Sequence, residues 1–250
     1  MEFLDKLNKI ISTIDQAESS SILEAAQTCA ATIVAGRAVL VFGAGHSALP
    51  AQEAFPRIGS IVGFVQITEP NLGFNGHVTG KGGQRQMSFL EQTSGYAEVI
   101  LSNYDLTPED TMIVISNSGI NTLPVELCDL ANQRGLTSIG ISSSAHSLAN
   151  QPKNKMGKRL LEIADLHIDN HIPAGDTLIS LDENTHIGGG STIAAMVIIN
   201  SIIVETIRLL HQQGTPFYLY PSHNVSKSVE KVEKQEKALF EAHKKLIAKL

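Results

Sequence analysis

The chain opens with apolar residues at Leu4, Leu7, Ile11 and Ile14, spaced as one helical stripe. Ser21 followed by Glu24 has the form of a capping box, which predicts a second helix through Ile22, Ala26, Cys29 and Ile33. Gly36 ends it. The period then changes. Ala38 to Phe42 is a continuous apolar run, and Ile61 to Ile67, Thr111 to Ile115 and Thr137 to Ile141 repeat it. Apolar runs without alternation belong to strands covered on both faces, so these four predict a central parallel sheet. Leu166-His167-Ile168 adds a shorter fifth strand. Thr122 to Arg134 carries a helix pattern, with Pro124 in its first turn and Gly135 at its end. Strands and helices in that alternation join through right-handed crossovers.

Two segments break the pattern. Residues 69–95 hold Gly73, Gly76, Gly80, Gly82 and Gly83 beside Asn71, Asn75 and His77. They read as a long loop with a short helix from Gln84 to Glu91. Residues 169–190 read as a second loop, ending in Gly188-Gly189-Gly190. Loops of this length inside a compact domain are often functional. Ser191 then caps an apolar helix to Leu210. A last helix spans Val225 to Leu250, with Val225, Val229, Val232, Leu239, Leu246 and Leu250 on one stripe. No repeat or linker divides the chain. The expectation is one domain over 1–250, with N-terminal helices in 1–36, a core in 37–220 and a C-terminal helix in 221–250. The terminal helices are expected to cover the sheet or to join a second subunit.

Composition narrows the function classes. Of 250 residues, 42% are apolar and 18% charged, which excludes a disordered tail and a coiled coil. The net charge of −6 comes with no basic block, so a nucleic-acid binder is not expected. Cys29 and Cys128 fit a reducing compartment. No apolar run is read as long enough to cross a membrane. The start, with acids among its first residues, reads as an amphipathic helix rather than a signal peptide. A cytoplasmic location follows as an expectation.

The chemistry lies in two loops that follow buried strands. Gly43-Ala44-Gly45-His46-Ser47-Ala48 has tight glycines, which let backbone approach a ligand, and then a helix start whose free N–H groups favour an anion. The same letters fit the G-x-G-x-x-A form of a dinucleotide fingerprint. That reading requires an acid at the end of the second strand, and Glu69, just before Pro70, stands slightly too far on. In the second loop, Ser116-Asn117-Ser118-Gly119-Ile120-Asn121-Thr122, hydroxyls replace the glycines and supply O–H and N–H donors for phosphate oxygens. One such loop is equally an ordinary serine-rich turn. Two of them at neighbouring strand ends mark the place where open α/β sheets bind ligands. There is no lysine-bearing Walker loop for a nucleoside triphosphate.

These loops, with Glu126, the Gly188-Gly189-Gly190-Ser191-Thr192 stretch and the helix carrying Asn200 and Glu205, resemble the sugar isomerase (SIS) domain over roughly residues 20–220. The arrangement is similar to the single-domain phosphosugar-binding branch of that family, and more distantly to N-acetylmuramic acid 6-phosphate etherase. The resemblance implies an α/β fold: a three-layer αβα sandwich on a flavodoxin-like five-stranded parallel sheet, with extra N- and C-terminal helices. It implies homodimers or higher homo-oligomers with sites near the subunit interface. It assigns phosphate to Ser116, Ser118 and Thr122, with Asn117 and Asn121 beside them, and sugar or phosphate contacts to Gly45 and Ser47. Ser191 and Thr192 would add hydroxyls from a third helix start. Asn121 stands where many members have threonine.

Proton transfer through an enediol needs an acid and a base near the sugar carbonyl. Glu53, six residues after Ser47, is the carboxylate the resemblance favours. It is equally placed to pair with Arg57 one turn on. Glu126 lies eight residues after Ser118 and is either a base or a solvated helix acid. His46 in the first loop, and His77 and His186 in the two long segments, are further candidates, the last two across a dimer interface. His171 and His223 rank below them. The histidines lack the spacing of a metal motif, so neither a metal nor another cofactor is expected. The function expected is an isomerase or lyase acting on an amino- or keto-sugar phosphate. A non-catalytic phosphosugar sensor working through a protein partner and an etherase-like lyase are the alternatives. No nucleic-acid or membrane partner is expected.

Overall fold

A computed structural model describes residues 1–73, 83–224 and 228–250. The predicted strands are present as β1 (Val39–Gly43), β2 (Phe64–Gln66), β3 (Thr111–Ile115), β4 (Thr137–Ser142) and β5 (Leu166–Asp169). They form one parallel sheet in the order β2-β1-β3-β4-β5. Val41 faces Gln66 on one side and Ile113 on the other, and Ile113 in turn faces Ile139. Every residue of β1 and β3 is buried, as their unalternated apolar sequences require.

The two faces of the sheet make two cores. Val39, Val41, Ile113, Ile115, Ile139 and Ile141 point to one, and Leu40, Phe42, Met112 and Val114 to the other. The first is closed by α1 (Glu2–Val34), α2 (Ala48–Ala54) and the long helix α8 (Ser191–Gln212). The second is closed by α3 (Gly83–Glu91), α4 (Tyr96–Leu101) and α5 (Thr122–Gln133). Two short helices, α6 (Ser144–Leu148) and α7 (Leu160–Ile163), follow β4. The C-terminal helix α9 (Val229–Ile247) reaches both cores, through Leu239 and Leu246.

Four expectations change. The two N-terminal helices are one helix of 33 residues, and Ser21 and Glu24 lie in its interior rather than in a capping box. No glycine or proline interrupts it, and its stripe of Ile14, Ile22, Ala25, Ala26, Cys29 and Ala30 packs along α8. Each large apolar side chain so buried contributes roughly 1.5–3 kcal/mol, which outweighs a local stop signal. The segment 169–190 is not wholly loop: β6 (Thr177–Ser180) and β7 (His186–Gly189) pair as an antiparallel hairpin. Ser191 does not cap α8, whose N-cap is Gly190. Finally, α8 is long and apolar enough by length and composition to cross a membrane. Ala194, Ile198, Ile202 and Leu210 bury its inner face, which gives that apolarity a core role.

Candidate functional site

Both chemistry-bearing loops sit at the C-terminal ends of β1 and β3, neighbours in the sheet. The chain order reverses between these strands, and that crevice is where sheets of this order take ligands. In the first loop a Cβ on Gly43 would stand 2.0 Å from the Ser47 carbonyl oxygen, so only glycine allows the chain to turn back here. Gly45 has φ of 59°, also a glycine conformation. Gly45–Ser47 form a single 3-10 turn, closed by the Ser47 N–H on the Ala44 carbonyl, and α2 follows. His46 is exposed. The Ser47 hydroxyl makes no hydrogen bond among the described residues. A cavity of about 290 Å³ opens beside this loop, lined by Gly43, Gly45, Gln52, Gln66 and Glu69.

The second loop is held rigidly by its own polar groups. The buried Ser116 hydroxyl oxygen accepts from the Gly119 N–H at 3.2 Å. The Asn117 amide oxygen accepts from Asn170 at 2.9 Å, and the Asn117 carbonyl from the Ser143 N–H. Gly119 has φ of 60°, and its carbonyl accepts from the Leu160 N–H at 2.8 Å. The Thr122 hydroxyl donates to the Lys153 carbonyl at 3.0 Å. These bonds sort the predicted phosphate donors. Thr122 has used its one proton. Ser116 accepts inside the loop and still has its proton to give. Ser118 is half-buried, and its hydroxyl has no partner among the described residues.

The predicted acids are already engaged. Glu53 Oε1 accepts from Arg57 Nε at 2.6 Å, the ion pair that its spacing anticipated. Glu126 accepts from the Ser94 hydroxyl at 2.7 Å and from the Gly95 N–H at 2.8 Å, which ties α5 to the start of α4. Glu69 accepts from the Asn71 N–H and side chain and bonds Tyr96, where burial and that carboxylate push the phenol up to about 12. A dinucleotide ribose would find this carboxylate occupied.

At α8 the Asp176 carboxylate accepts from the Gly190 and Ser191 N–H groups and from the Ser191 hydroxyl, the last at 2.6 Å. That helix start therefore has an anion from its own chain, and Ser191 has no proton left to offer. Thr192 is half-buried in the next position. His186 begins the exposed strand of the hairpin, with no side-chain hydrogen bond among the described residues. His171 pairs with Glu18 at 2.9 Å, and His223 lies 3.4 Å from Glu236. His77, Asn75, Gly76, Gly80, Gly82 and Val225 lie outside the described residues.

One carboxylate beside the second loop escaped the sequence reading. Glu91, the last residue of α3, bonds the Asn121 side chain and lies near Lys153. Burial raises its pKa above the usual carboxylate range, against the lowering effects of Asn121 and Lys153. A signal was present: an acid at a helix C-terminus opposes the macrodipole, so its position calls for another reason.

A family model for the SIS domain matches residues 2–143, more than half of the chain. The UPF0309 protein BH3325 of Halalkalibacterium halodurans is 31% identical over 87% of this chain and 88% of its own. The chain belongs to the SIS domain family. A UPF0309 protein of Geobacillus kaustophilus is 28% identical over 97% of both chains. The same fold occurs in phosphoheptose isomerases of Neisseria gonorrhoeae (13% identity, TM-score 0.56) and Francisella tularensis (14%, 0.52), each covering 82% of this chain and 95% of its own. The five-stranded sheet with helices on both faces is thus the SIS architecture.

Proposed function

We propose that this SIS protein binds a sugar phosphate over the ends of β1 and β3. The phosphate takes the hydroxyls of Ser47, Ser116 and Ser118, with Gly45, Asn117 and Asn121 shaping the loops. On this reading the chain is one cytoplasmic domain over 1–250 that isomerises or cleaves an amino- or keto-sugar phosphate by proton transfer next to a carbonyl. The observation that carries it is the pair of glycine- and serine-built loops flanking one crevice, with Ser118 unbonded among the described residues and the half-buried carboxylate of Glu91 beside the second loop. A half-buried acid with a raised pKa holds its proton better than an ordinary carboxylate, which suits it to donate and recover one. His46 within the other loop and Glu53 on the helix that follows it complete the acid–base candidates.

The homodimer rests on exposed apolar side chains along α1 and α8: Leu4, Leu23, Ile193 and Val204. A groove between these helices, lined by Ile11, Leu23 and Val197, is where a second copy would seat. Such a copy could bring its His186 hairpin toward the crevice. The test of binding is a thermal-shift screen with hexose 6-phosphates and their N-acetylated relatives, since a ligand that binds only the folded state raises its melting temperature. Ser116→Ala with Ser118→Ala removes the shift. Full binding by that double variant overturns the phosphate assignment. Glu53 and Glu126 both being engaged within the chain favours the sensor reading as the second one. Exchange of the sugar's α-proton with solvent deuterium separates the two: exchange marks the enzyme, and tight binding without exchange marks the sensor.

A further inference from the structure

The N-terminal ends of β1 and β2 carry a second cavity. It measures about 400 Å³, within the range of small-molecule pockets. Four separate stretches build it: the end of α1 with Ile33 and Gly36, the approach to β2 at Val62 and Gly63, the segment Pro216–Tyr218, and the face of α9 that carries Ala238 and Ala242. These two alanines, one helical turn apart, keep α9 from filling the space. The walls are apolar and aromatic, and the rim is cationic.

The rim charges do not cancel. Lys249 donates to the Gly36 carbonyl at 2.7 Å, which leaves two of its three ammonium protons. Lys245 has no carboxylate within ion-pair distance among the described residues. Glu241, the one acid on the lining among the described residues, is held by Lys244 at 3.0 Å and feels Lys245 more weakly. Arg37 is neutralised by the buried Asp110. Two ammonium groups that make no ion pair among the described residues therefore stand four residues apart over an apolar hollow, and against the single carboxylate of Glu241 they leave the rim net positive in a chain whose net charge is −6. The helix macrodipole favours lysines near the end of α9, but it explains no cavity beside them.

We infer that this cavity is a binding site for a small amphipathic anion. Its apolar body would lie against Ile33, Val62, Phe217 and Leu246, and its anionic head between Lys245 and Lys249. The site is at the opposite end of β1 from the Gly43–Ser47 loop and shares no residue with it. Occupancy would bridge α9 to the α1 end and the β2 approach.

The probe is anilinonaphthalenesulfonate, an apolar fluorophore with one anionic head. The folded full chain binds one molecule saturably, with fluorescence enhancement, and saturating hexose 6-phosphate does not displace it. Lys245→Glu weakens binding about tenfold, and Ala242→Trp, which fills the hollow, abolishes it. The uncharged analogue lacking the sulfonate binds more weakly and is indifferent to Lys245→Glu. A chain that shows no saturable binding, or one whose affinity neither variant moves while both retain the parent melting temperature, overturns the inference. Because the sugar phosphate is tested separately, failure here leaves the reading of the β1/β3 crevice untouched.

Discussion

The Glu91 carboxylate bonds the side chain of Asn121, the N-cap residue of α5 at the end of the serine loop. The carboxylate ends one helix and the amide starts another, so two elements far apart in the chain meet at the loop that offers phosphate donors. Glu91→Gln keeps this hydrogen bond and removes the charge. In the proposed enzyme it lowers turnover roughly 10²–10⁴-fold while leaving binding within a few fold. Unchanged turnover in steady-state assay removes Glu91 from the chemistry.

The same substitution carries a pH signature. Burial raises the folded pKa of Glu91 above its unfolded value. The stability linked to its proton is thus full below the ordinary carboxylate pKa, and it is lost as pH rises through the folded value. Glu91→Gln is therefore more stable than the parent at neutral pH, with the gap closing toward about pH 4. Melting temperatures across that range check it, and a Glu91→Gln protein that melts lower at neutral pH contradicts the burial argument.

Ser118 and Thr122 separate binding from structure. Ser118→Ala removes a hydroxyl that bonds nothing among the described residues, so the melting temperature stays put. Sugar-phosphate affinity falls by about 1.5–3 kcal/mol, the worth of a hydrogen bond to a charged group. Thr122→Val leaves the Lys153 carbonyl without its donor, lowers stability by about 1 kcal/mol and spares affinity. Calorimetric titration paired with thermal melts reads both quantities, and the opposite pattern would reverse the roles.

How far the sequence reached can be traced residue by residue. β1, β3 and β4 were legible because Val39–Gly43, Thr111–Ile115 and, beyond the exposed Thr137, the rest of β4 are covered on both faces, which erases alternation. The join in α1 was not, because Ser21 and Glu24 carry a local stop signal that packing against α8 overrides. The hairpin escaped because β7 is exposed at all four positions and half glycine, leaving no apolar alternation to see. The loops were legible as motifs. Which hydroxyls are engaged depends on Lys153, Asp176 and Gly119, whose positions only the fold supplies.

Glu126 is predicted to act on stability rather than chemistry. Its two oxygens hold Ser94 and the Gly95 N–H ahead of α4. Glu126→Ala unties that corner and costs about 1 kcal/mol, the usual worth of a helix-end carboxylate contact. Turnover of any sugar phosphate the parent converts stays within twofold or so. A large loss of kcat with no change in melting temperature would instead return Glu126 to the site.

His243 gives the last prediction, on the acid side. Its ring stands 4.9 Å from that of Phe55, and its Nδ1 is buried without a partner among the described residues. Burial lowers its pKa, so the neutral ring is the native form. The stability it supports is complete above its unfolded pKa, near 6.5, and is lost as pH falls through the lower folded value. His243→Phe retains a ring against Phe55 and removes the titration. The variant therefore outlasts the parent increasingly as the solution is acidified, and approaches it at neutral pH. Denaturant midpoints from about pH 7 to pH 5 follow the difference directly. A constant gap would show that the ring matters through packing alone, and a gap that shrinks on acidification would mean that the protonated ring finds an acceptor in the fold.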